Sequence, residues 1–412
     1  RTKPKFKTKL NILFNLTVKT LNNIIFGKTI ILKFSLLVIL SFLFFSCIEN
    51  KKSNIITEPT SVKLKDNKYA TGFSLNNING FDVLEISHPW PNSKKNYQYL
   101  LKHKSDTIDQ LLSIFEYDGI IEVPIEKIIV TSTTHIPALE LLGMENTLIG
   151  FPGTHYVSSE KTRLRIEKGE VRELGNNETI NTEITLDLKP DILVAYGIGE
   201  QNKALETIHN SGTSVLYNGD WVEASPLGKA EWIKFFGILY DKTKEADSIF
   251  DIIETNYMAA KTLAQNIKNQ PKVLCGAMHN NVWYLPQGTS SEAQILKDAN
   301  VNYLWSDTKG KGSLALNFES VFEKAQDAAL WFSPSYYRTY EELTSASTHY
   351  SQFNAFKNKS IYSFANTTGP SGGVLYYELG TARPDLVLKD IIKISHPTLL
   401  TEYTTYFFKP LQ

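Results

Sequence analysis

Asn181-Thr182-Glu183-Ile184-Thr185-Leu186-Asp187-Leu188-Lys189-Pro190-Asp191, followed by an apolar run, has a counterpart in Asn317-Phe318-Glu319-Ser320-Val321-Phe322-Glu323-Lys324-Ala325-Gln326-Asp327 and another apolar run. The second Glu lies 136 residues (319 − 183) after the first. In each copy an Asn able to cap a helix comes two residues before the Glu, and eight residues after it an Asp enters a buried strand. A motif repeated in register predicts two related lobes. One Glu in a first helical turn is explained by the positive end of the helix dipole. Two at matching helix starts suggest paired docking points, one for each half of a two-fold partner.

Working outward, residues 128–130 are a short buried strand, and Thr131-Ser132-Thr133-Thr134-His135-Ile136-Pro137 supplies hydroxyl caps and a Pro for an opening helical turn. Leu139 to Leu142 continue that helix and Gly143 closes it. Further strands are expected at 192–195 and 215–217 with a helix at 204–209 between them, an alternation that implies a mainly parallel sheet. Alternation over 69–86 around Asn76-Asn77-Ile78-Asn79-Gly80 predicts a hairpin. From 226 to 267 the apolar positions Trp232, Phe235, Phe236, Leu239, Ala246, Phe250, Ile253 and Tyr257 keep helical spacing, and Pro271 ends the pattern. One long helix there is a stiff spine, which implies small lobe movement. The second lobe is expected to have strands at 273–278, 328–332 and 361–365 and a last helix at 375–394.

Lys+Arg and Asp+Glu balance at 43 each, but the charge is segregated. Residues 1–46 hold eight basic residues and no acid, leaving 35 − 43 = −8 from Cys47 onward. That excess of acid argues against a nucleic-acid partner, since phosphate binding needs concentrated Lys and Arg. Residues 34–46 form an uncharged apolar stretch of 13 residues, short of the roughly 17–25 that span a bilayer, and are expected to be the core of a signal peptide. The stretch ends Leu43-Phe44-Phe45-Ser46-Cys47, which resembles the lipobox of bacterial lipoproteins, with Cys47 as the lipidated residue. Cys275, in an apolar run, is expected to be a buried small residue, and two cysteines offer no disulfide framework. The expected organisation is a signal peptide (1–46), a lipid-anchored tether (47–68), a first α/β lobe (69–223), a connecting helix (224–270) and a second α/β lobe (271–412).

The order of export signal, lipid-type Cys, α/β lobe, long helix and second α/β lobe resembles the substrate-binding proteins of ABC importers, within the class that carries iron-siderophore complexes, cobalamin or haem. The resemblance covers about 125–395 and is most specific at 129–143, 181–196 and 317–332. It implies two Rossmann-like lobes joined by one long α-helix with the ligand cleft between them. It also implies a monomer in the bacterial cell envelope, held to the membrane by its lipid, with a metal chelate as ligand, no cofactor and no enzymatic activity. In that family a Glu on each lobe pairs with Arg residues of the transmembrane subunits, and these fall on Glu183 and Glu319. The ligand is expected on loops after the strand ends: Thr134, His135, His155, Tyr156, Tyr196 and Trp221 from the first lobe, and Trp283, Tyr336, Tyr337, Arg338, Ser371 and Gly372 from the second. Aromatic faces suit a large, partly apolar ligand and Arg pairs with its carboxylates. Cobalamin and haem remain alternatives, although cobalamin-binding relatives tend to carry a Trp near the position of Ser313. His135, His155, His279 and His349 are scattered, without the close pair a directly bound metal needs. A reading of another class is a secreted hydrolase, since Gly369-Pro370-Ser371-Gly372-Gly373 satisfies the G-x-S-x-G pattern with Asp390 and His396 downstream. It requires Ser371 within hydrogen-bond reach of a His.

Overall fold

A computed structural model of the chain describes residues 61–65, 67–78, 80–103, 117–197, 199 and 202–412. The signal peptide, Cys47 and most of the tether lie outside the described residues. Ser61–Lys65, at the end of the stretch read as tether, is strand β1, and Ser61–Gln412 forms one compact unit.

The expected hairpin is present as β2 (Phe73–Ile78) and β3 (Phe81–Ile86). It belongs to a five-stranded sheet in the order β1-β2-β3-β4-β5, with β4 at Tyr97–His103 and β5 at Gly119–Val123. This sheet abuts the first lobe, where the Tyr99 hydroxyl donates to the Val215 carbonyl at 2.7 Å. Two buried carboxylates hold the entry to β2. Glu231 accepts from the N–H groups of Lys68, Tyr69 and Ala70 at 2.7–2.9 Å, and Glu223 accepts from those of Thr71 and Gly72.

The first lobe is a parallel sheet ordered β12-β11-β6-β7-β8. Its strands are β6 (Ile128–Val130), β7 (Leu148–Phe151), β8 (Arg172–Glu173), β11 (Ile192–Tyr196) and β12 (Ser214–Asn218), with a small hairpin of β9 (Gly175–Asn176) and β10 (Thr179–Ile180) inserted. Ile128, Ile129 and Val130 are fully buried, as a central strand with both faces covered requires. Helices α1 (Ile136–Leu141), α2 (Glu160–Glu167), α3 (Thr182–Asp187) and α4 (Lys203–Asn210) connect the strands. A 3-10 turn at Thr133–His135 leads into α1, with the Ser132 hydroxyl accepting from the Thr134 N–H.

The link between lobes holds α5 (Pro226–Glu231), α6 (Ile233–Leu239) and the long α7 (Thr243–Gln265, 23 residues). The continuous helical pattern of the sequence breaks before α7, where Asp241 takes φ 54°. Lys242 N–H donates to the Gly237 carbonyl at 2.7 Å and Asp241 N–H to that of Ile238 at 3.3 Å, the bond pair of a Schellman helix stop.

The second lobe repeats the plan with the sheet order β16-β13-β18-β19-β20. Its strands are β13 (Lys272–Cys275), β16 (Asn302–Tyr303), β18 (Leu330–Phe332), β19 (Ile361–Ser363) and an antiparallel edge β20 (Lys409–Pro410). A smaller sheet of β14 (Ala277–His279), β15 (Val282–Pro286) and β17 (Ser313–Leu316) covers one end. Helices α8 (Ser291–Asp298), α9 (Phe318–Ala325), α10 (Tyr340–Ala346), α11 (Asn354–Lys357), α12 (Leu375–Leu379) and α13 (Pro384–Ser395) complete it. The last helix expected from the sequence is thus two, because Pro384 has no N–H to donate and starts a new helix at its first position. The fold class is α/β with two lobes, as expected.

Candidate functional site

The strand ends of the two lobes face a cleft of about 550 Å³. From the first lobe it is lined by Thr131 to Thr133 after β6, by Gly153 and Tyr156 after β7, by Asn176 to Glu178 in the small hairpin, and by Tyr196 at the end of β11. From the second lobe Tyr336 and Arg338 follow β18, and Gly372, Gly373, Val374 and Tyr377 follow β19. A crevice outside the carboxyl ends of parallel strands is where open α/β sheets hold ligands.

Glu173 sets the first-lobe loops. It accepts from Gly153 N–H and Thr154 N–H at 2.8 Å, from the Thr154 hydroxyl at 2.6 Å and from Gly175 N–H at 2.9 Å. Burial raises its pKa, but these hydrogen bonds outweigh burial and hold the carboxyl below its ordinary range. Tyr156 is 63 % exposed at the cleft, with the His155 ring 4.0 Å from its own. Tyr196 donates its N–H to the Thr131 hydroxyl at 2.8 Å, and its ring lies 5.5 Å from that of Trp221 behind it.

Tyr336 is 63 % exposed. Arg338 is exposed, its N–H donates to Glu342 at 2.6 Å, and its guanidinium has no ion-pair partner among the described residues. The Ser371 hydroxyl donates to the Val157 carbonyl at 3.0 Å. The hydrolase partners serve other ends. Asp390 accepts from the N–H groups of Tyr406, Phe407 and Phe408, and His396 Nε2 meets the Ala299 carbonyl at 3.0 Å.

Several expected ligand residues do not reach the cleft. His135 is 1 % exposed against Phe236, neither ring nitrogen has a hydrogen-bond partner among the described residues, and burial pushes its pKa down to about 3. Trp283 is fully buried, donating its indole N–H to the Cys275 carbonyl at 2.9 Å, with Trp331, Tyr350 and Phe353 at ring distances of 5.5–5.6 Å. Both are core residues, a correction to their placing as ligand contacts. Tyr337 packs on Tyr350 away from the cleft. Thr134 faces the buried Asp220, whose carboxyl burial pushes up to about 6.

Glu378 was not anticipated. It lies on α12 of the second lobe, is 2 % exposed, and accepts from the first-lobe N–H groups of Ser158 and Ser159 at 2.6 and 2.8 Å. The neighbouring backbones nearly touch. A Cβ on Gly369 would sit 2.4 Å from the Ser158 carbonyl oxygen and one on Gly373 2.3 Å from that of Tyr156. The Gly-rich loop is therefore a strap between lobes as well as a cleft wall.

Glu183 and Glu319 occupy the same position in α3 and α9. Each follows an Asn cap whose side chain accepts from the third helical N–H at 2.9 Å. Both carboxylates are exposed, with no hydrogen-bond or ion-pair partner among the described residues. Among those residues there is also no group of three or more His, Cys, Asp or Glu placed to hold a metal ion.

An uncharacterized lipoprotein of Methanocaldococcus jannaschii is 27% identical over 322 residues, covering 76% of this chain and 75% of that one. A possible iron-binding (periplasmic solute-binding) protein from Staphylococcus epidermidis superposes with a TM-score of 0.52 at 19% identity, over 66% of this chain and 99% of that one. A periplasmic heme binding protein from Pseudomonas aeruginosa does so with a TM-score of 0.52 at 15% identity, over 70% of this chain and 98% of that one. Residues 128–367, from β6 through the turn beyond β19 and so more than half of the 412, match the periplasmic binding protein family, and the chain belongs to that family.

Proposed function

We propose that this protein is the extracytoplasmic binding component of an ABC importer, which captures an iron-siderophore complex or related metal chelate and hands it to the permease. The observation that carries the reading is the interlobe cleft of about 550 Å³, lined by exposed Tyr156 from one lobe and by exposed Tyr336 and Arg338 from the other, the guanidinium having no ion-pair partner among the described residues. Tyrosine faces supply flat contact area for a large organic chelate, and a free guanidinium pairs with its carboxylates or other anionic groups. The iron-binding and heme-binding descriptions of the two solved structures support a metal-bearing ligand. Cys47 is the proposed lipid attachment, which fits the lipoprotein description of the archaeal relative. Glu183 and Glu319 are the proposed contacts with the two transmembrane subunits.

A haem reading of the same cleft rests on Tyr156 and Tyr336, whose exposed phenols could each serve as an axial ligand.

The test is a thermal-shift screen against ferric siderophores, ferric citrate, haemin, cobalamin and divalent metals. A ligand bound only by the folded state raises the melting temperature once its concentration passes the Kd, by about 2.7 kcal/mol of stability at a hundredfold excess. The expected result is a shift with one chelate class, recovered unchanged afterwards. A haemin shift with a tyrosinate-type absorbance spectrum would favour the haem reading. Consumption of the compound, lost on Ser371→Ala, would replace the carrier by the hydrolase.

A further inference from the structure

Behind the cleft wall the second lobe contains a separate chamber of about 290 Å³. It sits at the carboxyl ends of β13 and β18, with Cys275, Ala277 and Phe332 at its base and Ile295 of α8 and Ile391 of α13 at its sides. Phe364 and Tyr376 stack at 4.7 Å and 6°, with Phe408 5.7 Å from Tyr376, and these rings make an aromatic wall. Tyr377 lines both this chamber and the cleft, and its ring lies 5.9 Å from that of Tyr336. Tyr377, 44 % exposed, is thus the side chain common to both spaces, with Tyr336, 63 % exposed, beside it on the cleft side.

We infer that this chamber receives an aromatic ring carried by the ligand whose chelating head sits in the cleft, an inference that rests on the chelate-carrier reading above. Size limits the occupant. A dry cavity of about 150 Å³ accommodates benzene, so this one takes a single substituted ring but not a tetrapyrrole. Aromatic and branched aliphatic walls favour an apolar, flat group, and an apolar cavity left unfilled costs stability in proportion to its volume. Polarity selects further. Glu292, in the first turn of α8, stands at the rim and is paired with Lys229 at 3.8 Å. The Tyr376 hydroxyl has no hydrogen-bond partner among the described residues. A ring with a neutral donor such as a phenolic hydroxyl meets both acceptors, whereas a benzoate meets a like charge.

The experiment uses the full chain and two ferric complexes with the same chelating group, tris(benzohydroxamate) and tris(acetohydroxamate), which differ only in the ring. A second arm follows 4-fluorophenol and 4-fluorobenzoate by 19F NMR. The wild type is expected to bind the benzohydroxamate complex at least tenfold more tightly than the acetohydroxamate complex, and fluorophenol at least tenfold more tightly than fluorobenzoate. Ala277→Leu, which fills the base of the chamber, should bring the first ratio below threefold and weaken fluorophenol tenfold, with a melting temperature at or above that of the wild type. Should that variant fail to fold, Val387→Phe fills the same space from α13. Equal wild-type affinity for the two ferric complexes, or a ratio that survives the filled chamber, overturns the inference and leaves the carrier reading intact. Binding of neither complex, with fluorophenol bound and lost on filling, would keep the chamber as an aryl site while removing the chelate from it. Fluorophenol left unbound by the wild type overturns the chamber itself.

Discussion

At the residue scale, His135 shows the limit of reading a loop. The sequence places it after strand β6, among residues that face the cleft, and Thr133 does line the cleft. The two lie on one 3-10 turn, where side chains about 120° apart point in different directions, so His135 turns inward onto Phe236. The loop was legible, but the direction of a side chain on it depends on the cap at Ser132 and on the α6 surface beneath. Burial of an imidazole with neither nitrogen satisfied costs about 1–3 kcal/mol. His135→Leu is therefore expected to raise stability by about 1 kcal/mol at pH 7 and by more in acid. The sign follows from the folded-state pKa of about 3 against 6.5 for the ordinary group. Stability from a depressed pKa is present above 6.5 and lost as pH falls toward 3, so the wild type weakens on acidification where the variant does not. Denaturant unfolding at pH 7 and pH 4.5 checks this, and a variant less stable than wild type at both would show that the ring has a partner.

At the element scale, strands β6, β11 and β18 and the hairpin β2–β3 were legible because period and turn residues are local signals. The stop between α6 and α7 was hidden because Asp241, instead of the usual Gly, takes the left-handed position. The strap was hidden for another reason, since nothing local in Glu378 indicates backbone partners 220 residues away. Burial is the main cause that lifts its carboxyl up to about 7, partly offset by the Ser158 and Ser159 N–H groups and reinforced by the nearby Glu140 carboxylate. A raised carboxyl pKa gives a contribution fully present below the unfolded value of about 4.5 and lost as pH rises through about 7, on the order of 3 kcal/mol. Glu378→Gln cannot ionise but loses one of two acceptors. The variant is expected to be about 1 kcal/mol less stable than wild type at pH 5 and, because only the wild type titrates, about 1–2 kcal/mol more stable by pH 8. Because Asp220 and His135 also titrate between folded and unfolded states, the difference between the two proteins is the quantity to measure. A difference constant from pH 5 to 8 would remove Glu378 as the titrating clamp.

At the scale of the whole molecule, the repeat around Glu183 and Glu319 was the most legible long-range pattern, because it is built from caps, which are local, and from duplication, which needs no structure to see. The lobes that carry it are tied by the α5–α7 link and by the strap, an arrangement that suits small relative movement. Docking on a two-fold partner, the role proposed for the two exposed carboxylates at equivalent helix starts, requires that they keep a fixed separation. The competing explanation, that each only complements its helix dipole, is worth about 0.3–1 kcal/mol per site and predicts an effect on stability alone. Reversing both charges, Glu183→Lys with Glu319→Lys, separates the two. Docking predicts at least a tenfold loss of uptake in cells with the affinity for the captured ligand within twofold of wild type, and each single reversal intermediate. The melting temperature should fall by only a few degrees, since neither carboxylate holds a tertiary contact among the described residues. Normal uptake by the double variant would leave the dipole as the reason for both acids, and a joint loss of uptake and ligand affinity would place them in binding instead of docking.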